Sequence, residues 1–209
     1  SVSMNSDGDR VAIGAWGNDG TASNAGHVRI YQYSSNAWSQ LGSDIDGEAD
    51  SDYSGHSVSM NVAGDRVAIG AFGNDGTASN AGHVRIYQYS SNAWSQLGAD
   101  IDGEAASDDF GYSVSMNATG DRVAIGARYN DGAGGNAGHV RIYQYSSNAW
   151  SQLGADIDGE ASGTFSGFSV SMNAAGDRVA IGAPRNNGAA IQAGHVRIYQ
   201  YSSNTWSQL

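Results

Sequence analysis

Ser57-Val58-Ser59-Met60-Asn61, Arg66-Val67-Ala68-Ile69-Gly70-Ala71, Gly82-His83-Val84-Arg85-Ile86-Tyr87-Gln88-Tyr89 and Ala93-Trp94-Ser95-Gln96-Leu97 are four short segments patterned with a period of two. That period belongs to β-strands, whose side chains alternate between faces. In the second segment Val67 and Ile69 share one face, and Ala68 and Gly70 the other, a small face suited to close approach by a neighbouring sheet. In the third, Val84 and Ile86 oppose His83, Arg85, Tyr87 and Tyr89, so both faces are built to meet neighbours. The first two segments are joined by a tight turn around Gly64, the last two by Ser90-Ser91-Asn92. A loop, Gly73 to Asn80, separates the second from the third, and an acidic connector, Gly98–Tyr112, leads onward. No segment shows helical spacing.

The same unit recurs every 56 residues without insertion: Ser1 to Asn5 returns as Ser57 to Asn61, Ser113 to Asn117 and Ser169 to Asn173. Such a period marks an array of identical supersecondary units. The copies are 1–56, 57–112, 113–168 and 169–209, read as one repeat domain. Four antiparallel strands per copy make the blade of an all-β propeller. A β-helix coil is shorter than this unit, and an immunoglobulin-like domain needs about 100 residues. Four blades are compatible with a closed four-bladed ring, part of a larger ring, or an open array.

Composition excludes several classes. The net charge is −11, and all ten basic residues are Arg; phosphate backbones call for a basic surface, so nucleic acid is not a partner. No apolar run approaches the ~20 residues of a membrane-spanning helix. The absence of Cys rules out disulfides but leaves an extracellular home open.

Two elements resemble the FG-GAP repeats of integrin-α-like β-propellers. Phe110-Gly111-Tyr112-Ser113-Val114-Ser115 looks like the FG entry into a first strand, and Ile181-Gly182-Ala183-Pro184 like the GAP exit from a second. Elsewhere Ser54-Gly55 and Ser166-Gly167 replace Phe-Gly, and Trp16, Phe72 and Arg128 replace Pro. The resemblance implies a propeller that is usually extracellular or at the cell surface and binds proteins or glycans or builds surface structures. The family's calcium loop between the first and second strands has no counterpart, because Asn117-Ala118-Thr119-Gly120-Asp121 is too short for an oxygen cage.

The acidic connector is the candidate metal site. Asp44, Asp46 and Glu48 recur as Asp100, Asp102 and Glu104 and as Asp156, Asp158 and Glu160. Alternating carboxylates are hard ligands suited to Ca²⁺, and Asp50, Asp52, Asp108 or Asp109 are within reach in sequence; the same carboxylates equally suit caps on backbone N–H groups. His27, His83, His139 and His195 lie on third strands, too far apart around a ring for one shared ion. Arg10 and Arg29 and their copies read as links between blades. Trp38, Trp94, Trp150 and Trp206 lie on outer strands, facing either a ligand or the connector.

Copies differ mainly in the loop after the second strand: Trp16, Phe72, Arg128-Tyr129 and Pro184-Arg185, then Thr21-Ala22-Ser23, Thr77-Ala78-Ser79, Ala133-Gly134-Gly135 and Ala189-Ala190-Ile191. A constant scaffold with one varying loop marks a candidate partner-binding surface at Trp16, Phe72, Arg128, Tyr129, Pro184 and Arg185. Asn117 begins the glycosylation sequon Asn117-Ala118-Thr119. No nucleophile–base constellation stands out, and four near-copies leave little room for one asymmetric catalytic site. The expectation is therefore a non-enzymatic extracellular structural or adhesive repeat protein that self-associates into a fibre or layer. The alternative is a soluble module binding an extracellular protein or glycan through the varying loop.

Overall fold

Each third strand is the longest in its copy, and the sheet is organised around it. The computed structural model describes residues 1–188 and 190–209; Ala189, named above in the varying loop, lies outside them. In the first blade β1 (Val2–Met4), β2 (Arg10–Ala15), β3 (His27–Ser34) and β4 (Ala37–Gln40) lie side by side, and β5 (Ile45–Asp46) pairs with the free start of β3. The second blade holds β6 (Ser57–Met60), β7 (Arg66–Ala71), β8 (His83–Ser90), β9 (Ala93–Gln96) and β10 (Ile101–Asp102). The third holds β11 (Phe110–Met116), β12 (Arg122–Ala127), β13 (His139–Ser146), β14 (Ala149–Gln152) and β15 (Ile157–Asp158), and the fourth β16 (Ser169–Met172), β17 (Arg178–Ala183), β18 (His195–Ser202) and β19 (Thr205–Gln208). All pairings between these strands are antiparallel. Four blades of four main strands are thus present, and no helix among the described residues is long and apolar enough to cross a membrane.

The small fifth strand was not visible in the sequence, and its cause is geometric. β4 covers only Tyr31 to Ser34 of β3. The open edge at His27 and Val28 is taken by Asp46 and Ile45, which satisfies backbone groups otherwise left unpaired. Two residues are too few to show a period. The FG entry is real: β11 starts at Phe110, shifts register before Ser113, and carries Gly111 at φ 87° in the kink.

Cores form between blades. Ala12, Val28, Ile30 and Ile45 of the first blade pack against Val58, Met60, Val67 and Ile69 of the second, flanked by Tyr87 and Trp94. Equivalent clusters join the second blade to the third and the third to the fourth. The small face predicted for the second strand serves this packing. A Cβ on Gly14, Gly70 or Gly126 would stand 2.0–2.1 Å from the carbonyl oxygen of Gly55, Gly111 or Gly167 in the connector passing over it.

The turns between first and second strands link in series: Ser6 N–H donates to Val62 O, Val62 N–H to Ala118 O and Ala118 N–H to Ala174 O. The arc they form is open. Val2 is 71% and Val196 65% exposed, whereas their counterparts Val58 and Val140 are 7% and 0% exposed. A closed four-bladed ring is therefore not what this chain forms.

Candidate functional site

Strand direction decides which loops share a face. β2 ends at Ala15, which pairs with His27 at the start of β3. β6 begins at Ser57, opposite Gly70 near the end of β7. The loop after each second strand therefore emerges at the same end as the last residues of each connector. The positions where copies disagree collect there. After the second strands stand Trp16, Phe72, Arg128 and Pro184; in the connectors stand Tyr53, Asp109 and Phe165, then His56, Tyr112 and Phe168.

Their rings form one belt across the arc. Trp16 meets Tyr53 at 5.7 Å, Tyr53 stacks on Phe72 at 5.0 Å, and His56 lies 4.7 Å from Phe72 and 4.6 Å from Tyr112. Tyr112 continues to Phe168 at 5.2 Å, and Tyr129 meets Phe165 at 5.3 Å. The Arg128 guanidinium sits 3.6 Å from the Tyr112 ring centre and 4.3 Å from that of Tyr129, and Arg185 lies 4.5 Å from Phe165. These are cation–π distances. Arg128, Tyr129, Phe165, Phe168, Pro184 and Arg185 line a cleft of about 280 Å³ at the end of the belt. The varying-loop residues singled out in the sequence are thus neighbours on one face.

The belt holds ionisable groups that no other blade repeats. Arg128 donates from Nε and Nη2 to Asp109 Oδ2, both at 2.9 Å. Burial pushes the Asp109 carboxyl up, against the pull of Arg128. His56 Nδ1 lies 3.2 Å from Tyr112 O. A carbonyl only accepts, so Nδ1 carries the proton and Nε2 keeps its lone pair. Burial, aided by the charge of Arg128, moves the His56 imidazole below its ordinary range, although the Tyr112 bond opposes this. His56 is then neutral at pH 7, with the Nε2 electron pair of a general base. Sequence reasoning passed over His56. The available signal was that it alone of five histidines falls outside the 56-residue series.

The connector carboxylates lie elsewhere, beside the start of each third strand. Three groups could each offer a metal two carboxylate oxygens and one histidine nitrogen: His27 with Asp44 and Asp46, Glu48 with His83 and Asp100, and Glu104 with His139 and Asp156. Most of these acids also face an Arg. Arg29 bonds both Asp44 oxygens, Arg85 reaches Glu48 at 3.0 Å, and Arg141 bridges Glu104 and Asp156. Hydrogen bonds from Arg141 draw the Glu104 and Asp156 carboxyls below their usual range. Asp102 differs, its carboxyl being raised by burial and by Asp100. Asp158 keeps its backbone role beside His139, and Glu160 faces His195 and Arg197. Of the added acids, Asp52 caps the backbone N–H groups of Glu48 and Ala49. The histidines are held apart as read from sequence, one per blade.

Asn117, the sequon residue, is 3% exposed. Its Nδ2 donates to Asp121 and Thr119, while its Oδ1 accepts from the N–H groups of Asp121 and Arg122. Asn5, Asn61 and Asn173 span their turns the same way. The nitrogen that would carry a glycan is committed to the turn, so the sequon at Asn117 is not presented as an acceptor.

Residues 99–143 match the FG-GAP repeat model. That stretch, from the second connector into β13, is therefore similar to an FG-GAP repeat. Among solved structures, the periplasmic gluconolactonase PpgL of Pseudomonas aeruginosa matches with a TM-score of 0.65 at 12% identity, over 100% of this chain and 55% of that one. A 6-phosphogluconolactonase candidate from Bacteroides fragilis matches with a TM-score of 0.65 at 11% identity, over 100% of this chain and 52% of that one. Hydrazine synthase of Kuenenia stuttgartiensis matches with a TM-score of 0.59 at 8% identity, over 98% of this chain and 46% of that one. This chain spans about half the length of the solved chains it matches. The comparison with curated proteins gave no match. The likeness establishes the fold, and the solved proteins named here that share it bear the names of enzymes. It corrects the expectation of a non-enzymatic adhesive or fibre-forming protein, for which nothing in the fold or the matches speaks.

Proposed function

We propose that the belt face is a hydrolytic site for a small oxygen ester of the sugar-acid lactone class. The observation that carries this reading is the convergence of His56, Asp109 and Arg128, each unique to its blade, on one aromatic face, with no hydrogen bond to His56 Nε2 among the described residues. The lactonases among the solved structures of this fold support the substrate class.

The chemistry follows from the groups present. His56 Nε2 takes a proton from water as the water oxygen attacks the lactone carbonyl carbon. Charge gathers on the carbonyl oxygen, where the Arg128 guanidinium is the nearby cation. The ring carbon–oxygen bond then breaks, and the imidazolium returns its proton to the leaving alkoxide, giving the open hydroxy acid. Asp109 holds Arg128 in place, and Tyr112, Phe72 and Tyr129 offer flat faces for the apolar side of a sugar ring.

The test is hydrolysis of glucono-1,5-lactone followed by pH-stat, with the spontaneous rate subtracted. The wild type should exceed the spontaneous rate, and His56→Gln should lose about 10²-fold or more. No enzymatic rate, or an undiminished rate in His56→Gln, overturns the proposal.

A further inference from the structure

The first and fourth blades expose the two halves of a contact that the chain makes three times internally. On the first blade the open half is Val2, Met4, Ile13 and Trp38, with Val11 and Tyr31 beside them in an apolar hollow. Their counterparts Met60, Ile69, Met116 and Ile125 are buried. On the fourth blade the open half is Val196, Ile198 and Leu209, against the buried Val28, Ile30, Val84 and Ile86.

The polar groups of this contact are unspent at the same two faces. Trp94, Trp150 and Trp206 each donate from Nε1 to the carbonyl of Leu41, Leu97 or Leu153 in the preceding blade, at 2.7–2.8 Å. Trp38 has no such partner among the described residues, and neither has the carbonyl of Leu209. Arg10, Arg66 and Arg122 each donate from Nη1 to Gly64, Gly120 or Gly176 of the next blade and lie over Tyr89, Tyr145 or Tyr201. Among the described residues Arg178 makes neither contact, while Gly8 and Tyr33 hold the matching positions on the first blade. Met60, Met116 and Met172 N–H donate to Ser3, Ser59 and Ser115 Oγ, and among the described residues Met4 N–H and Ser171 Oγ make no such bond.

We propose that the fourth-blade face of one chain docks on the first-blade face of a second copy. Trp38 then donates to Leu209 of the partner copy, and Arg178 reaches Gly8 and Tyr33 across the junction. The occupant is a second copy because the contact is the internal one continued, apolar cluster and hydrogen bonds alike. Each copy carries one face of each kind, so the contact is head-to-tail, and two copies close on themselves when their two arcs complete one turn. The solved propellers matched here are close to twice the length of this chain, so two copies supply about one ring.

Light scattering after size exclusion, over a dilution series of the 209-residue chain, tests the proposal. The expected result is a reversible equilibrium between 21.6 kDa and twice that mass. Ile13→Asp and Ile198→Asp change exposed residues, at 39% and 47%, so each variant should keep its circular dichroism and unfolding midpoint while running as the single chain. An equimolar mixture of the two retains one intact junction and should recover the double mass. A wild type that stays at 21.6 kDa at every concentration, a double mass indifferent to both substitutions, or a ladder of larger species overturns it.

Discussion

The indole Nε1 of Trp94 donates at 2.8 Å to the carbonyl of Leu41, 53 residues earlier and one blade away. Trp150 and Trp206 repeat the bond to Leu97 and Leu153, so the outer tryptophans are fasteners between blades. Trp150→Phe keeps the ring and removes the donor, leaving a half-buried carbonyl unpaired. It should cost about 1 kcal/mol in urea unfolding. Trp38→Phe, with no such acceptor among the described residues, should change the monomer's stability far less. Equal losses at the two sites would contradict this account.

Gly70 is required for a different reason: a Cβ there would stand 2.1 Å from Gly111 O. Gly70→Ala should therefore cost about 3 kcal/mol or abolish folding, since neither backbone can yield without moving a blade. In the last blade a Cβ on Gly182 meets first only the Ser169 hydroxyl, at 2.4 Å. A side-chain hydroxyl can rotate away, so Gly182→Ala should be much milder. Thermal melts of the two variants decide.

Burial, helped by Arg85, lowers the His83 imidazole to about 4, and His139 is lowered for the same reasons with Arg141 in that role. The unfolded chain therefore binds protons that these native histidines refuse. For His83 the effect on stability is level above pH 6.5, falls as pH drops toward 4 and levels off again below it, and His139 acts in the same sense. For His83 the loss is about 3 kcal/mol at most. Asp109, raised by burial, works in the opposite sense as its carboxyl is protonated. The unfolding midpoint should begin to fall below pH 6.5, above the range where Glu104 and Asp156 take up protons, and His83→Gln should flatten that fall. A midpoint constant from pH 7 to 4.5 would contradict it.

Arg141 already neutralises Glu104 and Asp156. Calcium would have to displace a guanidinium and still lack most of the six to eight oxygens it takes. Chelator and millimolar calcium should leave the melting temperature unchanged in the wild type. A rise with calcium, lost on Asp156→Asn, would contradict this and favour a metal in the connector.

Much of the fold was legible because it was written four times. Val84 and Ile86 opposite His83 and Arg85 identified a strand packed on both sides, and both faces are buried. Phe110-Gly111 marked the entry into a first strand and the small Gly70 a close approach, and the structure contains both, the entry kinked at Gly111. What escaped was local in length or singular in sequence. Ile45–Asp46 is two residues long and forms a strand only because β4 leaves the start of β3 uncovered. His56 was masked by the regularity around it, since attention to the repeat makes an unrepeated residue look like drift. The varying loop was found, but its partners Tyr53, Asp109 and Tyr112 come from the connector, and only strand direction brings the two together.

On this proposal His56 supplies a neutral base at the face where the varying loops collect. The pH profile of kcat/KM for glucono-1,5-lactone hydrolysis tests it most directly, because burial and Arg128 place the His56 imidazole below its ordinary range. The account predicts a rate that is flat near neutrality, falls on the acid side with an apparent pKa below about 6.5, and loses that limb in His56→Gln together with about 10²-fold of its height. A profile identical in the two proteins, or no turnover above the spontaneous reaction at any pH, would contradict it.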